Sequence, residues 1–263
     1  MRKNAPLLAL VLAALTACGR RSESAIEPVS DTVRVLAYNI HHGEGMDSLL
    51  DLGRIADLIV SVRPDLVAVQ EVDSVVDRTS DVDQAAELGR LTGLEPHFGS
   101  FMPYQGGAYG MAVLSRFPAL RAENIRLPDG DEPRTALAVT VQLPNSGLQL
   151  RFVGIHFYRT DEERLAQATS LEAELESEPM PTILAGDFNS RPGSKVMESL
   201  ERGWAIVDKA EDSFTFPSYA PDHEIDFVLM RPGGTFRVLG QRVLDEPVAS
   251  DHRPVLVDLL VRR

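Results

Sequence analysis

The feature that most constrains this chain is a short apolar run that ends at polar residues, PTILAGDFNS at positions 181–190. Its length, and the proline and glycine that bound it, predict a buried strand. Because successive side chains of an extended chain point to opposite sides, Asp187 and Asn189 should emerge together, with Phe188 facing away. A carboxylate beside an amide suits chemistry at an anion, since one can bind a metal or move a proton while the other donates a hydrogen bond. The alternative is a strand followed by an ordinary Asx turn.

Other strand-like runs carry the same kind of polar group near their ends. The runs cover residues 33–40, 66–71, 148–157 and 224–230, and a further polar pair precedes the last apolar run, 255–261. The side chains concerned are Asn39, Glu71, His156, Asp226, Asp251 and His252. Singly, each has a structural explanation: a loop cap, a satisfied histidine, an ion pair between Asp226 and Arg253, or a turn at Asp251. Their repetition favours one shared site, because loops held by a rigid sheet usually carry the catalytic groups.

Asp226 is the most constrained of these residues, because it lies inside the apolar run EIDFVL at 224–229. A buried carboxylate without a partner costs several kcal/mol, so it must be paired. A histidine is a good candidate, since an acidic neighbour fixes the tautomer of the ring and raises its basicity.

Helical and hairpin patterns determine the predicted fold class. Helical spacing occurs at 55–62 and 85–91, and a third helix is predicted to begin near Thr160. Between residues 96 and 157, strands are separated by Gly, Pro and Asn turns, which indicates antiparallel hairpins. We find no internal repeat and no linker in residues 32–263. The pattern predicts one α/β domain, with two packed mixed sheets and helices outside them.

Composition and charge limit the partners of the protein. With 263 residues, 44% of them hydrophobic and 25% charged, the chain can bury a sizeable core. The formal net charge of −13 argues against broad attraction to a polyanion, although a local basic cleft is compatible with it. Lys3, Lys195 and Lys209 are the only lysines, so arginine supplies most of the positive charge, which favours forked contacts to phosphate.

The first residues are typical of a targeting signal. Arg2 and Lys3 precede an apolar stretch at 5–14 that is short for a membrane span, and LTACG follows at 15–19. This resembles a bacterial lipoprotein signal, residues 1–17, with lipid attached to Cys18; the alternative is a plain secretory signal. Residues 18–31 would be a lipidated tether and residues 32–263 the domain, exported and anchored in the bacterial cell envelope. Because Cys18 is the only cysteine, disulfides within the chain and thiolate sites inside the domain are excluded.

The polar residues and their order resemble the endonuclease/exonuclease/phosphatase superfamily, which includes deoxyribonuclease I, abasic-site endonucleases, neutral sphingomyelinases and inositol-phosphate phosphatases. The resemblance covers residues 33–261 and rests on Asn39, Gln70-Glu71, His156, Gly186-Asp187-Phe188-Asn189, Ile225-Asp226 and Ser250-Asp251-His252. It implies a four-layer, deoxyribonuclease I-like α/β sandwich of two mixed, mostly antiparallel sheets with helices on the outer faces. It also implies divalent-metal-assisted hydrolysis of a phosphate ester.

The same resemblance implies a metal centre. Glu71 would be the main ligand, and Asn39 and Asp251 would complete or steady the metal shell. Oxygen ligands of this kind suit Mg²⁺ or Mn²⁺ over zinc. Some branches carry an acidic residue two positions after Asn39, where this chain has His41, so no second metal is expected there. His41, together with His42 and His223, is interpreted as a solvated loop histidine outside the site.

For catalysis, the resemblance implies that His252, oriented by Asp226, contacts the phosphate and helps to activate the attacking water. Asp187 would position that water or serve the leaving oxygen. Asn189 would hold the oxyanion, and His156 would bind a nonbridging oxygen. Charge grows on the phosphoryl oxygens during such a reaction, so fixed donors and a metal would stabilise it.

Arg78, Arg134 and the GGAYG segment at 106–110, which contains Tyr109, resemble the branch related to glycosylphosphatidylinositol-lipid remodelling proteins. We expect these three residues to contact substrate; the alternative is that both arginines form surface ion pairs. The expected function is a membrane-tethered, monomeric phosphodiesterase for a lipid head group or small phosphodiester. A secreted or surface nuclease of deoxyribonuclease type is less favoured, because neither a basic rim nor a groove-inserting loop is evident. A binding lipoprotein without turnover is opposed by the intact acid–base set.

Overall fold

The computed structural model describes residues 29–209 and 213–263 and has the predicted layers. Two six-stranded sheets pack face to face, and α-helices lie on their outer sides. No helix within the described ranges is both long and apolar enough to cross a membrane. The predicted signal, Cys18 and most of the predicted tether lie outside the described residues.

The strands and helices have the following bounds. The strands are Ser30–Asn39 (β1), Leu66–Ser74 (β2), Glu95–Tyr104 (β3), Gly107–Ser115 (β4), Ala119–Arg126 (β5), Thr135–Gln142 (β6), Gln149–His156 (β7), Thr182–Asp187 (β8), Ala205–Ile206 (β9), Asp226–Arg231 (β10), Phe236–Val243 (β11) and Val255–Arg262 (β12). The helices are Leu52–Val62 (α1), Gln84–Thr92 (α2), Asp161–Glu176 (α3) and Lys195–Leu200 (α4).

The two sheets share one plan. The first has the order β11-β12-β1-β2-β4-β3 and the second the order β5-β6-β7-β8-β10-β9. In each sheet a single pair is parallel, β1 with β2 and β7 with β8, while the other pairs are antiparallel. Parallel neighbours need a crossover connection, and α1 and α3 supply it. The carboxyl ends of both parallel pairs are therefore free to carry functional side chains.

Three apolar clusters hold the four layers together. The cluster between the sheets includes Val35, Met111, Val139 and Phe152. One outer cluster packs α1 and α2 on the first sheet, and the other packs α3 and α4 on the second. Burying a large apolar side chain contributes about 1.5–3 kcal/mol, so these clusters fix the strands rigidly beneath the site.

The structure contains elements that the sequence did not predict, among them β5, α4 and the two-residue strand β9. β5 was missed because it is an edge strand with mostly polar, exposed side chains, and α4 because it is only six residues long. β1 begins at Ser30, three residues before the strand that was predicted from residue 33. Asp31 explains this boundary, because its buried carboxylate accepts hydrogen bonds from the backbone amides of Asn145 and Ser146.

Candidate active site

The ends of the parallel strands meet around Asp187. The register of the second sheet places Asp187 opposite His156 on β7 and opposite Asp226 on β10. Gly186 allows this close approach, because its φ is +143° and a Cβ there would lie 2.1 Å from the carbonyl oxygen of Ile155. A larger residue at 186 would push β8 away from β7.

Asp187, Asp226 and His252 form a compact, buried group. The Nδ1 atom of His252 lies 2.9 Å from Oδ2 of Asp226, and its Nε2 atom lies 3.8 Å from Oδ2 of Asp187. The hydroxyl of Thr215 donates to the same Asp226 oxygen. Asp226 therefore fixes the ring of His252 through one nitrogen and leaves the other directed at Asp187.

Burial and neighbouring charges shift the pKa values in this group. Burial and the charge of Asp226 raise the pKa of Asp187 to about 7, against the opposing effect of His252. Burial alone would lower the pKa of His252, but Asp226 and Asp187 outweigh it and raise that pKa to about 10. For His156, burial together with Arg134 and His252 lowers the pKa well below its usual value. Near neutral pH, His252 is therefore protonated and His156 neutral, while Asp187 exchanges its proton readily.

Asn39 joins the contributions of the two sheets. Its fully buried Nδ2 atom donates to Oε1 of Glu71 at 3.1 Å and to Oδ2 of Asp187 at 3.2 Å. Glu71 lies at an irregularity of β2 between Gln70 and Val72, with φ at +59°. Left-handed backbone at a residue other than glycine is costly and persists where the surroundings hold it in place. The Glu71 carboxylate is thus positioned by the backbone as well as by Asn39.

His156 and Asn189 complete the predicted catalytic set. The Nε2 atom of His156 lies 3.4 Å from Oδ2 of Asp187, and its buried Nδ1 atom has no hydrogen-bond partner in the described part of the chain. The backbone amide of Asn189 donates to Asp187, and its side-chain amide donates to the carbonyl oxygen of Phe157. The second amide hydrogen of Asn189 remains available to a ligand.

The place of Asp251 in the metal shell stays a prediction. Within the described ranges, two groups of acidic and histidine side chains place donor atoms within 4.8 Å of one another. One is Asp187, Asp226 and His252, and the other is His41, His42 and Glu71. Asp251 belongs to neither group, and its carboxylate accepts a hydrogen bond from Ser250.

The interpretation as a solvated loop histidine was wrong for His42, and His41 is half-buried. His42 is buried, and both rings lie beside Glu71, with their centroids 4.6 Å apart. The sequence did contain a signal, since a histidine doublet directly follows the strand that delivers Asn39. His223, which was set aside with them, hydrogen-bonds Asp222 and Arg191 instead.

A cavity of about 320 Å³ opens beside these groups, and the three predicted substrate residues line it. The guanidinium of Arg134 stacks on the rings of Phe101 and Tyr109, and that of Arg78 on Tyr104 and Tyr109. Glu71, His156, Asp187, Asn189 and His252 also line the cavity. A molecule in this space would therefore meet aromatic and cationic walls and the acid–base groups together.

Two buried residues that support Asp226 were missed by sequence reasoning. Thr215 lies in an irregular segment, and nothing in its sequence context indicated a role. Lys209 donates from Nζ to the backbone carbonyl of Asp226 at 3.0 Å and pairs with Glu224. The rarity of lysine in the chain was the one available signal for Lys209.

The donor set fits a divalent cation. The Glu71 carboxylate is half-buried on the cavity wall, held by Asn39, and imidazole nitrogens stand next to it. The buried Nδ1 atom of His42 has no hydrogen-bond partner in the described residues, which is unusual for a buried polar atom. A carboxylate with neighbouring imidazoles is a common ligand combination for metals in proteins.

Together, the architecture and the site define a deoxyribonuclease I-like α/β sandwich with its polar groups at the strand ends. The sequence profile of the Endonuclease/Exonuclease/phosphatase family matches residues 36–252, and the chain belongs to this family.

The chain is similar to proteins from several organisms. The uncharacterized protein YbhP of Escherichia coli strain K12 is 29% identical over 244 residues, which cover 86% of this chain and 95% of YbhP. Nocturnin of Xenopus laevis is 30% identical over 233 residues, covering 76% of this chain and 59% of nocturnin. Among solved structures, an endonuclease/exonuclease/phosphatase from Beutenbergia cavernae is 25% identical with a TM-score of 0.70, covering 88% of this chain and 72% of that one.

Proposed function

We propose that the protein is a divalent-metal-dependent phosphohydrolase that cleaves a phosphodiester, with lipid head groups and small phosphodiesters as its substrates. The observation that carries the proposal is the position of Asp187, which contacts Asn39, His156 and His252 at one side of a cavity that Glu71 also lines. Family membership supports the same reaction class.

The two ionisable groups in contact with the cavity have complementary protonation states. His252 is protonated near neutral pH, so its Nε2–H can donate to a phosphoryl oxygen, while Asp226 and Thr215 hold the ring in place. Asp187, with its pKa near 7, can accept the proton of an attacking water. This assigns the base role to Asp187 and the electrostatic role to His252.

His156 and Asn189 are suited to orient the substrate. His156 stays neutral because burial lowers its pKa, and with its Nε2 atom 3.4 Å from Asp187 its ring forms part of the cavity wall. The remaining amide hydrogen of Asn189 can meet the developing oxyanion. Donors fixed before the reaction stabilise the transition state without reorganisation.

Glu71, steadied by Asn39, would hold the metal. A divalent cation there supplies Lewis-acid stabilisation of charge on the phosphoryl oxygens. The expectation of Mg²⁺ or Mn²⁺ rests on the carboxylate ligand.

The cavity favours a small substrate over a long nucleic acid. Arg78 forms a forked ion pair with Asp73, and Arg134 pairs with Glu132, so the charges of two of the three arginines that line the cavity, all but Arg159, are offset by a carboxylate. Long duplexes bind through many unpaired basic groups. The volume of about 320 Å³ and the aromatic walls suit a head group or a similarly compact ester.

A substrate panel tests this proposal. The purified domain should cleave bis(p-nitrophenyl) phosphate and a phosphatidylinositol lipid or sphingomyelin in the presence of Mg²⁺ or Mn²⁺, faster than a phosphomonoester or plasmid DNA. Asp187→Asn has nearly the same shape and is the matched control for contaminating activity. Cleavage of plasmid alone would favour a nuclease, and no cleavage beyond the control would favour a binding lipoprotein.

We also propose that lipid on Cys18 tethers the protein to the cell envelope, which the sequence pattern at 15–19 supports. The Cys18→Ser variant should move from the membrane fraction to the soluble fraction of the cells that produce it. Unchanged fractionation would contradict the tether and leave the proposed hydrolase activity unaffected.

A further inference from the structure

We infer that His41 and His42 bind a transition-metal ion together with Glu71, so that the metal centre combines imidazole nitrogen and carboxylate oxygen ligands. The inference rests on the proposed function only in that both place the metal at Glu71. It changes the class of metal, because the sequence predicted an all-oxygen shell without these histidines.

The three side chains lie close enough together to share one ion. One donor atom from each of the three side chains lies within 4.8 Å of the other two. In a tetrahedral site, ligand atoms about 2.1 Å from the ion are roughly 3.4 Å apart, so side-chain movements of about 1 Å would let one ion reach all three.

A single residue, Glu44, orients both histidine rings. The Nδ1 atom of His41 lies 3.1 Å from the carbonyl oxygen of Glu44, which can only accept, so this nitrogen carries the proton. The Nε2 atom of His42 lies 3.4 Å from the Glu44 carboxylate. Metal-binding histidines characteristically donate their other ring N–H to a carbonyl or carboxylate.

These contacts leave one nitrogen free on each ring. They are Nε2 of His41 and Nδ1 of His42, and the second is buried without a hydrogen-bond partner in the described residues. A buried imidazole nitrogen with a free lone pair is costly unless something coordinates it or donates to it. A metal ion would satisfy both nitrogens at once.

All three candidate ligands lie on left-handed backbone. His41 and His42 have φ values of +46° and +45°, and Glu71 has +59°, so all three candidate ligands are in the left-handed region. Residues other than glycine adopt it in only a few per cent of cases, although histidine does so more often than most, and such conformations cluster at ligand clamps. Buried Gln84 holds the strained segment by donating to the carbonyl oxygen of His42 at 2.7 Å while accepting from the amide of Asp73 on β2.

The ligand types select the metal. Imidazole suits zinc, copper, iron and nickel, whereas magnesium prefers oxygen ligands and keeps several waters. A site of two imidazoles and one carboxylate should therefore bind Zn²⁺ or Co²⁺ more tightly than Mg²⁺.

Direct metal binding tests the inference. Metal-free protein should bind Zn²⁺ in equilibrium dialysis, and ¹⁵N NMR should show ring-nitrogen shifts for two of the six histidines. His41→Asn and His42→Asn should each lower the Zn²⁺ affinity about tenfold or more, the range seen when metal–histidine arrangements are disturbed. Mg²⁺ affinity should change much less. Asparagine is chosen because it tolerates left-handed backbone.

His97→Asn is the matched control, because His97 lies on β3, which β4 separates from the strand of Glu71, and pairs with Glu95. Its Zn²⁺ affinity should equal that of the wild type. Equal affinity in the His41 and His42 variants, or NMR shifts confined to His156 and His252 in the wild type, would overturn the site. Because binding is measured directly, failure of the substrate panel counts against the proposed hydrolase and not against this metal site.

Discussion

The two sheets supply opposite kinds of groups to one cavity. On the second sheet, Asp187 and Asp226 face each other in regular strand register, are buried, and both lie beside the ring of His252. On the first, His41 and Glu71 stand on left-handed backbone and are half-buried. The arrangement on the second sheet shifts pKa values, whereas the arrangement on the first sheet leaves donor atoms open to a ligand.

The difference shows that the same sheet topology can position an acid–base group in one sheet and candidate metal ligands in the other. Each sheet places a single parallel strand pair at its centre, so each delivers its side chains to the same end of the sandwich. Regular register on β8 and β10 holds charges together that would otherwise repel, and protonation offsets the cost. The irregularity on β2 turns Glu71 out of the ladder. Asn39 couples the two halves by donating to both carboxylates.

The largest effect should come from the first sheet. Glu71→Gln should lower kcat/KM by on the order of 10³ or more, because a metal typically stabilises transition-state charge by several kcal/mol. Its melting temperature without metal should stay close to that of the wild type, since the side chain is half-buried and its loss removes no core packing. Steady-state kinetics and thermal melts measure the two quantities. Retained activity would refute the assignment of Glu71.

On the second sheet, His252 and Asp226 should act as one unit. His252→Asn and Asp226→Asn should each lower kcat by roughly 10²–10³, the range of general acid–base groups. The double variant should fall little further, because the two side chains share a direct hydrogen bond. Multiplicative losses in the double-mutant cycle would show that the two residues contribute separately.

The pH profile separates the charges of the second sheet. Asp187 must be ionised to accept a proton, so activity should rise about tenfold per pH unit below its pKa of about 7. His252 must stay protonated, so activity should fall as the pH passes its pKa of about 10. Asp226 raises both pKa values, so Asp226→Asn should move both limbs of the kcat/KM profile to lower pH. Limbs that stay in place would mean that other groups titrate.

Much of the fold followed from local patterns. The strands that carry Asn39, Glu71, His156 and Asp187 were predicted because each is a continuous apolar run, and α1 because its spacing is helical. Their convergence was predicted from the resemblance and from the repeated position of polar residues at strand ends. β5 gave no such pattern, because an edge strand with little burial does not need apolar residues.

The parts of the site that were missed depend on long-range contacts. The histidine doublet after β1 was the one local signal for His41 and His42. What places them is the turn after β1 and the contact of Gln84 with that turn, which the sequence does not show. Likewise, Thr215 lies eleven positions before Asp226 in irregular chain, and only the folded structure joins them.

The smallest effects on activity are expected from two of the arginines that line the cavity, Arg134 beside the second sheet and Arg78 beside the first. Arg134→Met should raise KM about tenfold with little change in kcat, the equivalent of losing one charge-assisted hydrogen bond to the substrate. Its partner Glu132 is partly exposed and can be solvated, so stability should change little.

Arg78→Met leaves the fully buried Asp73 carboxylate without its ion pair and should lower the free energy of unfolding by about 3 kcal/mol. Arg90→Met, at an exposed ion pair on α2, is the control and should change neither quantity. If the Arg78 and Arg134 variants changed KM and melting temperature equally, the assignment of substrate binding to Arg134 and of a structural role to Arg78 would be wrong.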